Sequence, residues 1–288
     1  MRDLSQRLDL FSLNTATVRK QAPLDRIIEA VVAHGIRSID PWRDQVQAVG
    51  LDRVARQIRD AGVRLSGYCR GGFYPALDAQ GLAAALEDNR RAIDEAKALG
   101  SPCLVLVVGS LPGALAGKPQ SIDIALARSQ VRDGIAASLE YARNVGMPLA
   151  IEPLHPMQAA ERACVNTLEQ ALDLCDELDP GRTGALGVAL DAYHVWWDPA
   201  LATQIAHAGA ANRILAYHIC DWLVPTRDLL NDRGMPGDGI IELRKLRRMV
   251  EATGYQGAVE IEIFSDAWWS RPMEEVLEVC ISRFKSVA

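Results

Sequence analysis

The sequence predicts a single (β/α)8 barrel of the TIM type. Short apolar or β-branched runs alternate from end to end with longer segments of helical periodicity, eight of each. No long polar linker divides the 288 residues, and barrels of this kind reach about 250 residues as one domain. Polar groups able to bind a metal end the fifth to eighth predicted strands, on the rim where such barrels carry their sites. One domain over residues 1–288 is expected.

The predicted strands are Asp9–Thr15, Ser38–Pro41, Arg64–Tyr68, Cys103–Val108, Pro148–Glu152, Gly187–Asp191, Arg213–His218 and Ala258–Phe264. Helices fit at 22–34, 48–61, 79–98, 123–146, 165–177, 200–211, 240–252 and 273–286. Leu24, Ile27, Ile28 and Val31 share one helical face. Asn166–Thr167 can cap the fifth helix, with Gln170 placed as in a capping box, and Pro199 suits a first turn after Asp198. Gly35, Gly62, Gly100 and Gly146 each follow a helical run, where a left-handed cap favours glycine. A doubly wound open sheet is the alternative, but neither its GxGxxG fingerprint nor a P-loop is present.

Hydrophobic residues make up 49% of the chain and charged residues 24%, the balance of a soluble globular protein. A net charge of −6 gives no general attraction for nucleic acid. Six cysteines without a CxxC pair fit a reduced, cytoplasmic protein. The N-terminus MRDLSQRLDLF lacks the apolar core of a signal peptide. No run reaches the roughly 18 apolar residues that span a bilayer. Neither a nucleic-acid nor a membrane partner is expected.

The rim holds the chemistry. Glu152 ends PLAIE, Asp191 ends GVALD, His218 ends ILAYH, and Glu262 lies near the end of AVEIEIF. Three carboxylates and an imidazole suit one divalent ion. Mn²⁺ is the first expectation, with Mg²⁺, Co²⁺ or Zn²⁺ as alternatives. Each acid alone could instead cap a helix or join an ion pair. Converging buried carboxylates need a cation, however, and no lysine lies beside these strands, which favours a metal.

Several fragments, in order, resemble the xylose-isomerase-like superfamily of sugar isomerases and epimerases. They are IEPLHP (Ile151–Pro156), LDAYHVWWDP (Leu190–Pro199), YHICDW (Tyr217–Trp222), PGDGII (Pro236–Ile241) and GYQGAVEIEIF (Gly254–Phe264). The resemblance spans about residues 8–285 and extends to ketose 3-epimerases, hydroxypyruvate isomerase and inosose dehydratase. It implies that Glu152, Asp191, His218 and Glu262 are the metal ligands, and that Glu152 and Glu262 are also the acid–base pair. Glu260 faces the same way as Glu262 by the period of two, one layer deeper, as a support or alternate ligand. His194, in D-x-x-H after Asp191, is expected to act in catalysis by binding substrate or tuning the site, and His155 after Glu152 to contact substrate. His34 and His207 fall in helical runs.

Arg70 in YCRGG and Arg233 in NDRGMPGDG can fork onto a carboxylate, a phosphate or vicinal hydroxyls. Asn14, Trp42, Phe73 and Trp222, with Trp268 and Trp269, can complete a wall for a small sugar or polyol. Asp221 is a candidate supporting or loop contact. An ion flanked by two carboxylates suits proton transfer beside a carbonyl through a metal-stabilised enediolate. The expected activity is therefore sugar or keto-polyol isomerisation or epimerisation. The alternatives are an inosose-type dehydratase, an endonuclease IV-like hydrolase, whose trinuclear site needs more histidines than this chain offers, and a non-catalytic polyol-binding barrel. A homo-oligomer is expected from the resemblance and from the loop tryptophans.

Overall fold

The computed structural model describes residues 2–288. Its main sheet has nine parallel strands. They are β1 (Phe11–Asn14), β2 (Ser38–Asp40), β3 (Arg64–Leu65), β4 (Cys69–Gly72), β5 (Leu104–Val107), β6 (Leu149–Ile151), β7 (Leu186–Asp191), β8 (Ile214–Ile219) and, following a small ribbon, β11 (Val259–Ile261). The ribbon pairs β9 (Asp221–Trp222) antiparallel with β10 (Arg233–Gly234).

The sheet runs β3-β2-β1-β11-β8-β7-β6-β5-β4. Its two ends are halves of one interrupted strand, so the ring closes on itself. Before the break Ser66 N donates to Ile39 O at 3.0 Å, and after it Cys69 N donates to Pro41 O at 3.2 Å. On the other side Val105 N donates to Tyr68 O at 3.0 Å. Eight barrel positions result, as expected, but the third strand is split instead of running unbroken over Arg64–Tyr68.

Around the sheet lie α1 (Leu24–Ala33), α2 (Arg43–Val49), α3 (Leu51–Ala61), α4 (Ala79–Leu99), α5 (Ile124–Val145), α6 (Leu168–Leu178), α8 (Leu201–Ala210), α9 (Leu243–Ala252) and α11 (Met273–Ser286). Two one-turn helices, α7 (Ala192–Val195) and α10 (Asp266–Trp269), follow the sixth and eighth barrel positions. The helix expected at 48–61 is two helices, because Gly50 takes φ +101° between them, a conformation L-residues avoid. The glycines closing α3, α4 and α5 have φ of 63°, 74° and 70°, the left-handed caps their positions predicted. Thr167 caps α6 by accepting from Gln170 N at 3.1 Å.

Alternation along the strands makes two cores. Leu104, Leu106, Leu149, Ile151, Val188 and Leu190 pack outward against the helices. Val105, Ala150, Ala189 and Ala216 fill the barrel with Cys69 and Cys103. Two residues further along the inward face come Glu152 after Ala150, Asp191 after Ala189 and His218 after Ala216. A small side chain thus lies beneath each polar group. The eighth position breaks the pattern, with buried Glu260 beneath Glu262.

At the opposite end, fully buried Arg213 joins three elements. It donates to Asp179 Oδ2 at 2.8 Å, to Leu186 O at 2.9 Å, and to Asp179 O and Cys175 O at 2.7 and 3.0 Å. The last two are carbonyls at the end of α6, where helices leave acceptors unsatisfied. Arg213→Met keeps the stem but removes the donor to these carbonyls and leaves Asp179 to Arg143 and Thr183 alone. The expected cost is about 2–4 kcal/mol, read as a melting temperature roughly 4–12 °C below wild type in thermal denaturation. A shift within a degree or so of zero would show that the network contributes nothing net.

Candidate metal centre

Strand order places the four predicted ligands on neighbouring positions. β6, β7, β8 and β11 are adjacent; Asp191 pairs in register with His218, and Glu262 N donates to Ile219 O at 3.1 Å. Glu152, Asp191, His218 and Glu262 are all buried and each offers one ligand atom, these atoms lying within 4.8 Å of one another. The two glutamates occupy the outer strands of the four, with Asp191 and His218 between.

Local structure divides the work of each group. Asp191 Oδ1 accepts from Tyr193 N at 2.9 Å and caps α7, which leaves Oδ2 for the site. His218 Nδ1 lies 3.3 Å from Glu152 Oε1 and 3.9 Å from Glu262 Oε2. Its Nε2 faces Glu260 Oε1 at 3.5 Å. Neither ring nitrogen nor Glu152 Oε1 has an aligned hydrogen bond, although all are buried. Such orphaned polar atoms are costly unless a missing partner satisfies them. The donor set and these orphans fit a divalent ion held by the four side chains, with Glu260 fixing the imidazole from behind.

Glu260 is itself held from the neighbouring first strand and from the third barrel position. Asn14 Nδ2 donates to its Oε1 at 2.9 Å, and Ser66 Oγ to its Oε2 at 2.6 Å. Asn14 Oδ1 accepts from Trp42 Nε1 at 2.8 Å and from Ala16 N at 3.0 Å. Asn14, expected on the substrate wall, is fully buried and turned toward Glu260. Asp40, His218 and Glu260 form a second convergent group on the deep side of the imidazole.

Above the quartet, Arg233 Nη1 bridges Asp191 Oδ2 and Glu262 Oε2, each at 3.1 Å. The ribbon β9–β10 and a backbone bond from Arg233 N to Phe264 O, 2.9 Å, place it there. Its guanidinium carbon lies 4.4 Å from the Tyr193 ring centre. The cation missing from the strands themselves is thus supplied in part by a loop. His194 Nε2 lies 3.2 Å from Arg233 Nη2, and its Nδ1 accepts from His155 N at 3.1 Å.

A cleft of about 440 Å³ opens over this floor. Glu152, Glu262, His194, Arg70, Arg233, Trp42 and Phe264 line it. His155 and Trp222 stand outside this lining and stack on each other at 4.6 Å. Trp269 donates its Nε1 to Ala16 O at 2.8 Å. Asp221 accepts from Trp222 N, Gly237 N and Ile241 N at 2.9, 2.8 and 3.0 Å, clamping the PGDGII loop. Gln158 and Arg162 line the cleft without having been singled out. Their only signal was position, six and ten residues after Glu152 in the same rim loop.

Burial raises the carboxyl pKa of Asp191 to about 6, with Arg233 opposing the rise. Burial also raises Glu152 and Glu262, against the pull of His218 and Arg233 respectively. At His218 burial works against the charge, but Glu260, Glu152 and Glu262 outweigh it and hold the imidazole well above its usual range. His194 is pushed the other way, by burial and then by Arg233, and stays neutral.

A model of the xylose isomerase-like TIM barrel family matches residues 28–283, and the chain belongs to that family. It is 26% identical, over 90% of its own length, to 3-dehydroshikimate dehydratase of Pseudomonas putida, but spans only 39% of that relative. With inosose isomerase of Halalkalibacterium halodurans it shares 24% identity, covering 92% of this chain and 91% of the relative. The solved protein SMc04130 of Sinorhizobium meliloti 1021 superposes with a TM-score of 0.93 at 55% identity, over 98% of this chain and 99% of that one. A solved IOLI protein with a zinc atom gives a TM-score of 0.80 at 20% identity, over 96% and 97% of the two chains. No helix among the described residues is long and apolar enough to cross a membrane.

The raised pKa values set a sign for stability without metal. A carboxyl raised from its ordinary value binds its proton more tightly in the folded state, so for Asp191 the fold loses stability as pH rises through about 4–6, and the raised glutamates act in the same sense. A raised imidazole loses its contribution at higher pH in the same sense. The chelator-treated protein is therefore expected to melt at lower temperature at pH 7.5 than at pH 5.5, and saturating Mn²⁺ to raise the melting point more at pH 7.5. Scanning fluorimetry with and without metal checks this; a larger metal effect at the lower pH would contradict it.

Proposed function

We propose that this protein is a divalent-metal-dependent isomerase or epimerase of a small sugar or keto-polyol. The observation that carries the reading is the placement of Glu152 and Glu262. They stand on the outer two of four adjacent strands, both open to one cleft, so each can reach a substrate carbon from its own side. A divalent ion at the quartet would supply positive charge for the oxyanion that develops beside the acidic carbon.

The chain's own groups do the rest. Burial makes each glutamate a stronger base than a free carboxylate, which suits proton abstraction near neutral pH. One carboxylate takes the proton and the other returns it. Return to the same carbon from the opposite face gives an epimer, and return to the neighbouring carbon gives the isomer. Neutral His194 and cationic Arg233 meet at 3.2 Å and orient substrate oxygens.

The zinc atom in the related IOLI protein supports a divalent ion without choosing between Zn²⁺ and the Mn²⁺ expected here. A dehydratase is the second reading, favoured by the similarity to 3-dehydroshikimate dehydratase over 90% of this chain. It needs the same base but expels water instead of returning the proton. The reading also includes a homo-oligomer that works on small molecules in the cytoplasm, without nucleic acid or membrane.

Elemental analysis should find one ion per chain, and three zinc ions would revive the nuclease-like alternative. Deuterium uptake from D2O into ketoses, aldoses and inososes tests the proton path. Glu152→Gln and Glu262→Gln keep the volume and a metal-touching oxygen but remove the base. Each should lower kcat by about 10²–10⁴-fold with metal retained. His194→Ala should instead raise KM, roughly tenfold. Near-normal exchange in both glutamine variants, fully metal-loaded, would take these residues out of the proton path.

A further inference from the structure

Five arginines line the cleft: Arg19, Arg43, Arg70, Arg162 and Arg233. Three are neutralised by carboxylates. Arg19 pairs with Asp44, Arg43 with Asp88 and Glu95, and Arg233 with Asp191 and Glu262. Arg70 and Arg162 are half-buried, yet among the described residues neither guanidinium has a hydrogen bond or ion pair to another side chain. A desolvated, unpaired guanidinium is unfavourable, and two facing one cleft add repulsion.

Local structure holds Arg70 in this position. In the pairing of β4 with β5, Cys69 opposes Val105 and Gly71 opposes Leu106, so Arg70 is an extra, bulged residue. Bulges re-aim a side chain at the rim of a barrel. Phe73, in a left-handed conformation at φ +53° that costs backbone energy, sets its ring centre 4.0 Å from the Arg70 guanidinium carbon. Stacking occupies the guanidinium face and leaves its N–H edges free. Gln158 is buried, lines the same cleft, and has an Oε1 with no hydrogen-bond partner. Burial and the neighbouring Arg162 bring the Arg70 pKa down to about 10, and burial lowers Arg162 as well. Both remain charged at neutral pH, so the unpaired positive charge persists.

We propose that the substrate carries an oxyanionic group, a carboxylate or a phosphate ester, which Arg70 and Arg162 grip while its reacting carbon lies over Glu152 and Glu262. The inference rests on the isomerase–epimerase reading for which end of the substrate reacts. Two forked guanidiniums match the planar oxygens of a carboxylate or three edges of a phosphate, and a neutral sugar would leave both without a counter-charge. Gln158 accepts from a hydroxyl between the two ends.

The test uses three ketoses that differ only at carbon six: D-fructose, D-fructuronate and D-fructose 6-phosphate. Calorimetric titration of each into Mn²⁺-loaded protein should give a Kd at least tenfold lower for one of the anions than for fructose, and which anion it is separates carboxylate from phosphate. Arg70→Gln and Arg162→Gln should each reduce that ratio at least fivefold, and Arg70→Lys should reduce it less. If a glutamine variant melts early, raising the ionic strength must still shrink the wild-type ratio. Failure of both anions to bind more tightly than fructose, or a ratio unchanged in both well-folded variants, overturns the proposal. Deuterium exchange on the same three sugars separates the two readings. Preference without exchange leaves the grip standing and removes the reaction, and exchange without preference does the reverse.

Discussion

The structure depends on the management of negative charge inside the barrel. Glu152, Asp191, Glu260, Glu262 and Asp40 are buried at one end of the sheet, around one imidazole and one guanidinium. Carboxylates so placed repel one another and lose their hydration, and a fold keeps them only if counter-charge compensates. The surroundings follow from that demand. Alanines beneath the rim groups leave room for them, the ribbon carries Arg233 over the top, and Asn14, Ser66 and His218 surround Glu260. The orphaned atoms of His218 and Glu152 mark where compensation by protein groups ends.

The same arrangement separates tasks by depth. The deepest layer holds Glu260 and Asp40 away from the cleft and aligns the imidazole. The middle layer presents the quartet. The upper layer lines the cleft with His194 on the one-turn α7, Arg233 on the ribbon, Arg70 on the bulge of β4 and Gln158 in the loop after β6. Regular strands position the quartet, and the more variable segments that follow the strands surround the cleft mouth.

Much of this was legible in the sequence because strand ends and period-two alternation are local signals. PLAIE, GVALD and ILAYH each end on an inward-facing polar group after a small inward-facing residue, and the folded chain keeps that phase. The helix-closing glycines were readable for the same reason. What escaped depends on distant pairing. The split of the third strand arises where Arg64–Leu65 bonds to one neighbour and Cys69–Gly72 to another. Asn14 reads as a rim residue until Glu260, 246 positions away, is seen to take its amide. Trp222 reads as a sugar platform until His155 and Tyr193 are found against it. Gln158 and Arg162 belong to residue types common in any loop, and only closure of the barrel shows that they face the quartet.

The bond between Asn14 and Glu260 joins the first strand of the chain to the last strand of the ring. A nascent or partly folded chain holds the acidic strand β11 without the amide that shields it, and the first strand has β2 on only one of its two sides until the final one arrives. Contacts this far apart in sequence close late and together. The centre is therefore completed by the same event that closes the ring, and an incomplete barrel holds a loose set of acids in place of a shaped site.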